Sequence, residues 1–199
     1  MAVRGRVDEP GGGTPVGFEA AHAALRRARV RPEIVLGEAP APQRLAPYSI
    51  ALTAEVVVDG NDLATGRLVV LHDPDGQDAW HGVTRLVAYA KAECEPEMVA
   101  DPLLPSVGWA WLTEALEAHG AAAVALSGTV TRVASESFGG LADAGRGATA
   151  EIELRASWTP LGDDLDLHVE AWCDLLCTAA GLPPVPVGVA TLHTRRRRS

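Results

Sequence analysis

The chain has 199 residues, of which 47% are hydrophobic and 22% charged, and it carries a formal net charge of −9. That length suits one domain able to bury most of its apolar surface, and that composition is too apolar for a disordered chain. Without the four arginines Arg195–Arg198, only 13 basic residues face 26 acidic ones, so the body repels phosphate backbones and nucleic acid is not an expected partner.

Residues 1–17 hold Gly11, Gly12 and Gly13 with little apolar content and read as a flexible leader without the apolar core of an export signal. No apolar run in the chain approaches the ~20 residues that cross a bilayer, so a cytoplasmic location away from membranes is expected. Cys94, Cys173 and Cys177 are then reduced thiols rather than a disulfide framework.

Phe18, Ala21, Leu25 and Ala28 recur at helical spacing, and Arg26, Arg27, Arg29 and Arg31 gather where cations oppose a helix dipole. Pro32 ends this first helix. Pro40, Pro42 and Pro47 make an extended approach to a strand over Tyr48–Val58, with Ile50, Leu52, Ala54, Val56 and Val58 on one face. After the turn residues Asp59-Gly60-Asn61-Asp62 comes a shorter strand, Arg67–His72. Asp73-Pro74-Asp75-Gly76 is again turn chemistry, and a third strand follows over Val83–Glu93.

Asp101 ahead of Pro102 marks a helix start, and Gly120 marks its end. Its stripe is Leu104, Val107, Gly108, Trp111, Leu112, Ala115 and Leu116, which leaves Trp109 about 100° off the stripe. Strands over Leu126–Ser135 and Thr149–Trp158 are joined by a loop rich in glycine. The second has the cleanest alternation in the chain, Ile152, Leu154, Ala156 and Trp158 against Glu151, Glu153 and Arg155. A third helix starts near Asp163 or Asp164, buries Leu165, Val169, Trp172, Cys173, Leu176 and Ala180, and ends at Gly181.

These elements predict an α+β fold, a five-stranded antiparallel sheet with helices packed on one face, in the order αβββαββα. One domain spans 18–184, and 185–199 is a proline-bearing tail with an arginine end. The element order is similar to that of type III secretion chaperone-like domains, which tend to be acidic and dimeric.

Several segments carry a family resemblance: PAPQRLAPY (40–48), LHDPDGQDAWHG (71–82), EPEMVADPLLPSVGWAWL (95–112), SGTVTR (127–132), FGGL (138–141), IELRASWTP (152–160) and AWCDLLCTAAGLPP (171–184). Together they resemble an actinobacterial domain-of-unknown-function family, number three thousand, over about residues 18–184. That family has no assigned activity, cofactor or catalytic residue, so the resemblance implies no site at any position.

His72, Asp73, Asp75, Asp78 and His81 place oxygen and imidazole donors on one loop, the kind of set that holds a divalent cation. A calcium loop begun at Asp73 fails, because Asp78 stands where glycine is required and Thr84 where the bidentate glutamate should be. A strand-connecting turn accounts for the same residues. Cys173 and Cys177 lie four apart on a helix, with His168 nearby, but they continue its apolar stripe. No Gly-x-Ser-x-Gly elbow and no phosphate-loop spacing occurs. Neither catalytic residues, nor a cofactor, nor a metal is expected.

The solvent face of the sheet should carry Arg85, Lys91 and Arg155, together with Arg67 and Arg132. Mixed with Glu55, Glu93, Glu151 and Glu153, they suit cross-strand ion pairs or an anionic ligand. Trp109 is the matching candidate on the helical side, either as an interface anchor or packed beneath residues 95–102. The expected function is therefore a non-enzymatic cytoplasmic module, an adaptor or chaperone-like protein that binds a protein partner or its own copy as a homodimer. The competing reading is a small enzyme, or a metal or anion binder, using the 72–81 loop or the arginine-bearing face.

Overall fold

The computed structural model describes residues 16–143 and 148–184. The tail with Arg195–Arg198 and nearly all of the expected leader lie outside the described residues, as do Gly145 and Gly147 of the glycine-rich loop.

The elements run α1 (Val16–Leu25), β1 (Ile34–Ala39), β2 (Tyr48–Val58), β3 (Asn61–Gln77), β4 (Gly82–Glu93), α2 (Pro96–Ala100), α3 (Leu104–Ala118), β5 (Ala123–Ser135), α4 (Gly140–Asp143), β6 (Thr149–Pro160) and α5 (Leu165–Ala179). The fold is α+β with an antiparallel sheet, but that sheet has six strands rather than five, in the order β1-β2-β3-β4-β6-β5. The added strand is β1, which pairs from Ile34↔Val56 to Ala39↔Ala51 along the outer edge of β2. The second expected strand is also much longer than 67–72. It continues through Asp73-Pro74-Asp75-Gly76, where the register slips between His72 and Gln77, so the turn chemistry makes an irregularity inside a hairpin instead of ending it.

Helices cover one face. Leu52, Ala54 and Val56 of β2, Leu68 and Val70 of β3, Leu86, Ala88 and Ala90 of β4, and Ile152, Leu154, Ala156 and Trp158 of β6 form the buried layer. Beneath them α5 contributes Leu165, Val169, Trp172, Cys173 and Leu176 at helical spacing, with α3 packed beside it. The approach is close. A Cβ on Gly66 would sit 2.7 Å from the Trp172 ring, so the absent side chain is what lets the indole lie against β3. Both long helices end as their glycines require. Gly120 and Gly181 have φ of 65° and 75°, and the following amides of Ala121 and Leu182 reach back to the carbonyls of Leu116 and Cys177.

The first helix stops at Leu25, short of Ala28 and of the Pro32 expected to end it. Its basic residues are held by carboxylates elsewhere, Arg26 by Glu38 at 3.0 Å and Arg27 by Asp166 at 3.6 Å.

Leu154 is 3% exposed on the helix side, whereas Glu153 points the other way and pairs with Arg155 at 2.9 Å. Leu154→Ala should therefore cost on the order of 2–5 kcal/mol, and Glu153→Ala less than about 1 kcal/mol. Urea melts that ranked the two in reverse would contradict this register.

Candidate functional site

The second face of the sheet is divided. Over β2 and β3, residues 40–47 fold back as a flap, and Ala41 and Ala46 of the flap, with Ala39 of β1 and Trp80, cover Ala51, Val69 and Leu71. Ser49 Oγ donates to the Pro42 carbonyl at 3.0 Å, and the Arg67 guanidinium donates to the carbonyl of Pro40. Arg67 thus lies on the expected face, but its work is to pin the flap. The three prolines shape this cover rather than a straight approach to β2.

Over β4, β6 and β5 no such flap lies on the sheet among the described residues. Val87 is 40% exposed there, and a shallow depression of about 250 Å³ is lined by Val87, Ser127, Gly128, Thr129, Arg155 and Ser157. Lys91 pairs with Glu151 across strands at 2.8 Å. Arg155 stacks its guanidinium 5.2 Å from the centre of the Tyr89 ring while pairing with Glu153 on its own strand. Burial, followed by the Glu153 carboxylate, raises the Tyr89 phenol above its ordinary pKa.

Arg85 is different. It is 8% exposed and hydrogen-bonds only neutral groups: Thr159 Oγ1 at 3.2 Å, Ser127 Oγ at 3.3 Å, and Ser157 through its carbonyl at 3.2 Å and its Oγ at 2.7 Å. Among the described residues no carboxylate lies within salt-bridge distance of it, and desolvation alone lowers its pKa.

Arg132 is not on this face. It pairs with Ile152 in the register and so belongs to the helix side, where Nη1 donates to the carbonyls of Val99 and Asp101 at 3.1 and 2.8 Å. It satisfies the end of α2, a short helix absent from the expected set. Trp109 is half-buried, with its ring laid over β5: a Cβ on Gly128 would stand 2.7 Å from Trp109 Cζ3. The indole therefore packs on the sheet.

The 72–81 residues do not form one cluster. His72 is buried, with Nδ1 and Thr84 Oγ1 3.0 Å apart and its ring near Phe18 and Tyr48. His81 sits at φ 58° after the 3-10 turn Asp78–Trp80. Both histidines line a cleft of about 390 Å³ with Thr84, Thr159 and Asp163. Asp73 instead holds Gln77 Nε2 at 3.0 Å and the Asp75 amide at 3.2 Å, and Asp75 and Asp78 are exposed. Thr84 Oγ1 stands 3.0 Å from His72 Nδ1, while Thr159 Oγ1 accepts from Arg85 and donates to the Trp80 carbonyl.

On α5, burial pushes the Cys173 thiol far up and the Cys177 thiol up to about 11, as expected of side chains packed in the apolar layer. His168 Nδ1 is occupied by the Trp158 Nε1 proton at 3.1 Å. Among the described residues no three His, Cys, Asp or Glu side chains converge on one point as a cation would require. No helix of the described residues is long and apolar enough to cross a membrane.

The least legible of these features was Arg85. Alternation placed it on the correct face, but its hydroxyl partners arrive from strands 42 and 72 residues away. No local signal marks such a meeting.

No curated protein and no solved structure matches the chain. The family comparison is positive, and it agrees with the resemblance carried by the segments between Pro40 and Pro184. Residues 14–190 match the family described as protein of unknown function (DUF3000), a match over most of the length, and the chain belongs to that family.

Proposed function

We propose that this protein is a non-enzymatic binding module, an adaptor or chaperone-like holder that takes an extended segment of a partner protein along β5 and the open face beside it. The observation behind this reading is the free edge of β5. This strand has 13 residues and is last in the sheet order, and among the described residues no strand pairs with its outer side. Natural edges are usually blunted by lysine, proline or an inward charge. Here the sequence AVALSGTVTRVAS holds neither lysine nor proline, and its one charge, Arg132, is spent on the α2 carbonyls. The bulge between Val124 and Ser127 lies near the start of the strand, leaving Ser127–Ser135 in regular register with unpaired backbone groups outside. An extended segment can satisfy those groups by adding a seventh strand.

A photo-crosslinking amino acid at Thr129 or Val87 tests the reading. In the native host both positions should give one discrete adduct with another protein, while the same probe at Glu117, exposed on α3, gives none. Adducts from Glu117 alone would overturn the proposal. A product of twice the chain's mass, made of two copies, would replace the partner segment with a β5-to-β5 homodimer.

A further inference from the structure

The buried Arg85 lacks a counter-charge, and we propose that a carboxylate from outside supplies it: the open face holds an oxyanion subsite that receives an acidic side chain of the docked segment. The identity of that carboxylate's carrier rests on the docking reading above, whereas the subsite rests on its own geometry.

A guanidinium taken out of water is costly unless something compensates its charge, and hydroxyls supply hydrogen bonds without charge. Arg85 is 8% exposed and has only hydroxyls and a carbonyl around it. The direction of those bonds matters. Arg85 donates to the Oγ atoms of both Ser127 and Ser157, so each hydroxyl offers a lone pair to the guanidinium and must turn its proton elsewhere. The two Oγ atoms are 3.4 Å apart. One proton can bridge them, and the other is left for an acceptor outside.

Thr159 differs, since its proton goes to the Trp80 carbonyl. Ser127 and Ser157 both line the 250 Å³ depression, with Thr129 beside them and Arg155 as a second, exposed cation. The charge of Arg85 thus reaches the surface through two polarised hydroxyls, which are stronger donors than free serines. Gly128, between Ser127 and Thr129, faces the helix side, where Trp109 packs against it beneath the strand. A carboxylate suits this arrangement better than a phosphate, because Glu153 lies beside Arg155 and would repel a dianion.

The free full-length protein can be tested directly. With sodium acetate replacing sodium chloride at fixed ionic strength and pH 7.5, Tm should rise by roughly 2–4 °C. Saturable NMR shifts should appear at the Arg85 side-chain Nε–H and at the Ser127 and Ser157 amides. Ser127→Asp, at an exposed position, should raise Tm by a similar amount without acetate and erase the acetate response. Arg85→Met should also erase it while leaving the far-UV spectrum unchanged. An acetate response that persists in Arg85→Met, a lowered Tm in Ser127→Asp, or no response in the parent protein would each overturn the subsite. Saturation by inorganic phosphate but not acetate would overturn the carboxylate assignment. None of these readings depends on the crosslinking result, so docking and subsite can fail separately.

Discussion

Trp158→Ala is expected to cost about 3–5 kcal/mol of stability, a large share of the roughly 5–15 kcal/mol that holds a domain folded. The indole is fully buried, on the strand that joins the two parts of the sheet, and its backbone partner across the ladder is Leu86, also fully buried. Removing the ring does two things. It opens a cavity between β6 and α5, and it leaves His168 Nδ1 without the 3.1 Å hydrogen bond it now accepts. Trp158→Phe separates these, because it keeps much of the volume and loses only the N–H donor, so its cost should be clearly smaller. Urea denaturation followed by far-UV dichroism reads both. A loss below about 1 kcal/mol in the alanine variant would remove Trp158 from the core.

The same pair makes the fold sensitive to acid. Because Trp158 donates to Nδ1, the His168 proton sits on Nε2, and burial lowers its pKa to about 4. An unfolded histidine titrates near 6.5. Between those two values the unfolded chain binds the proton and the folded one refuses it, so stability falls as pH drops from about 6.5 to about 4. The full loss is about 3 kcal/mol.

His119 works in the opposite sense. Asp174 at 2.7 Å, with Glu170 at 3.4 Å, raises its pKa. Its contribution is complete below the unfolded value and is lost as pH rises through the folded one. Measured from pH 4 to 8, His168→Gln should flatten the acid side of the stability profile, and His119→Gln should flatten only the neutral side. An acid limb unchanged in His168→Gln would place the sensitivity elsewhere.

How far each part of this molecule could be read in advance depended on whether its cause was local. β6 was legible because a half-buried strand must alternate, and Ile152, Leu154, Ala156 and Trp158 do so without a break. The ends of α3 and α5 were legible because Gly120 and Gly181 take backbone angles that few other residues accept. β1 was not. As an edge strand it buries only Ile34 fully, and Gly37 and Glu38 carry no strand signal.

β3 reads as shorter from sequence because Ala64 and Gly66 look like weak strand formers, although the absent side chain of Gly66 is what admits Trp172. Arg132 was misplaced because its explanation is the pair of carbonyls ending α2, a five-residue helix too short to show a period. The open face was anticipated as a surface bearing arginines. The flap that hides half of it, and the hydroxyls that surround Arg85, depend on tertiary meetings.

The strand order β4-β6-β5 also bears on how the chain reaches its native state. Strands β1 to β4 form a meander of neighbours in sequence, and β5 with β6 forms a second hairpin, so each ladder can zip from nearby residues. The two are stitched together only where β4 meets β6, from Leu86↔Trp158 to Glu93↔Glu151. Closing that seam brings together groups such as Arg85 and Thr159, which are 74 residues apart. Loop closure on that scale is slow relative to hairpin formation. During synthesis β5 emerges from the ribosome before β6 exists to pair with it, and the hairpin can join the meander only after both have been made. The β4–β6 ladder is accordingly expected to form after the two local sets of strands that it joins.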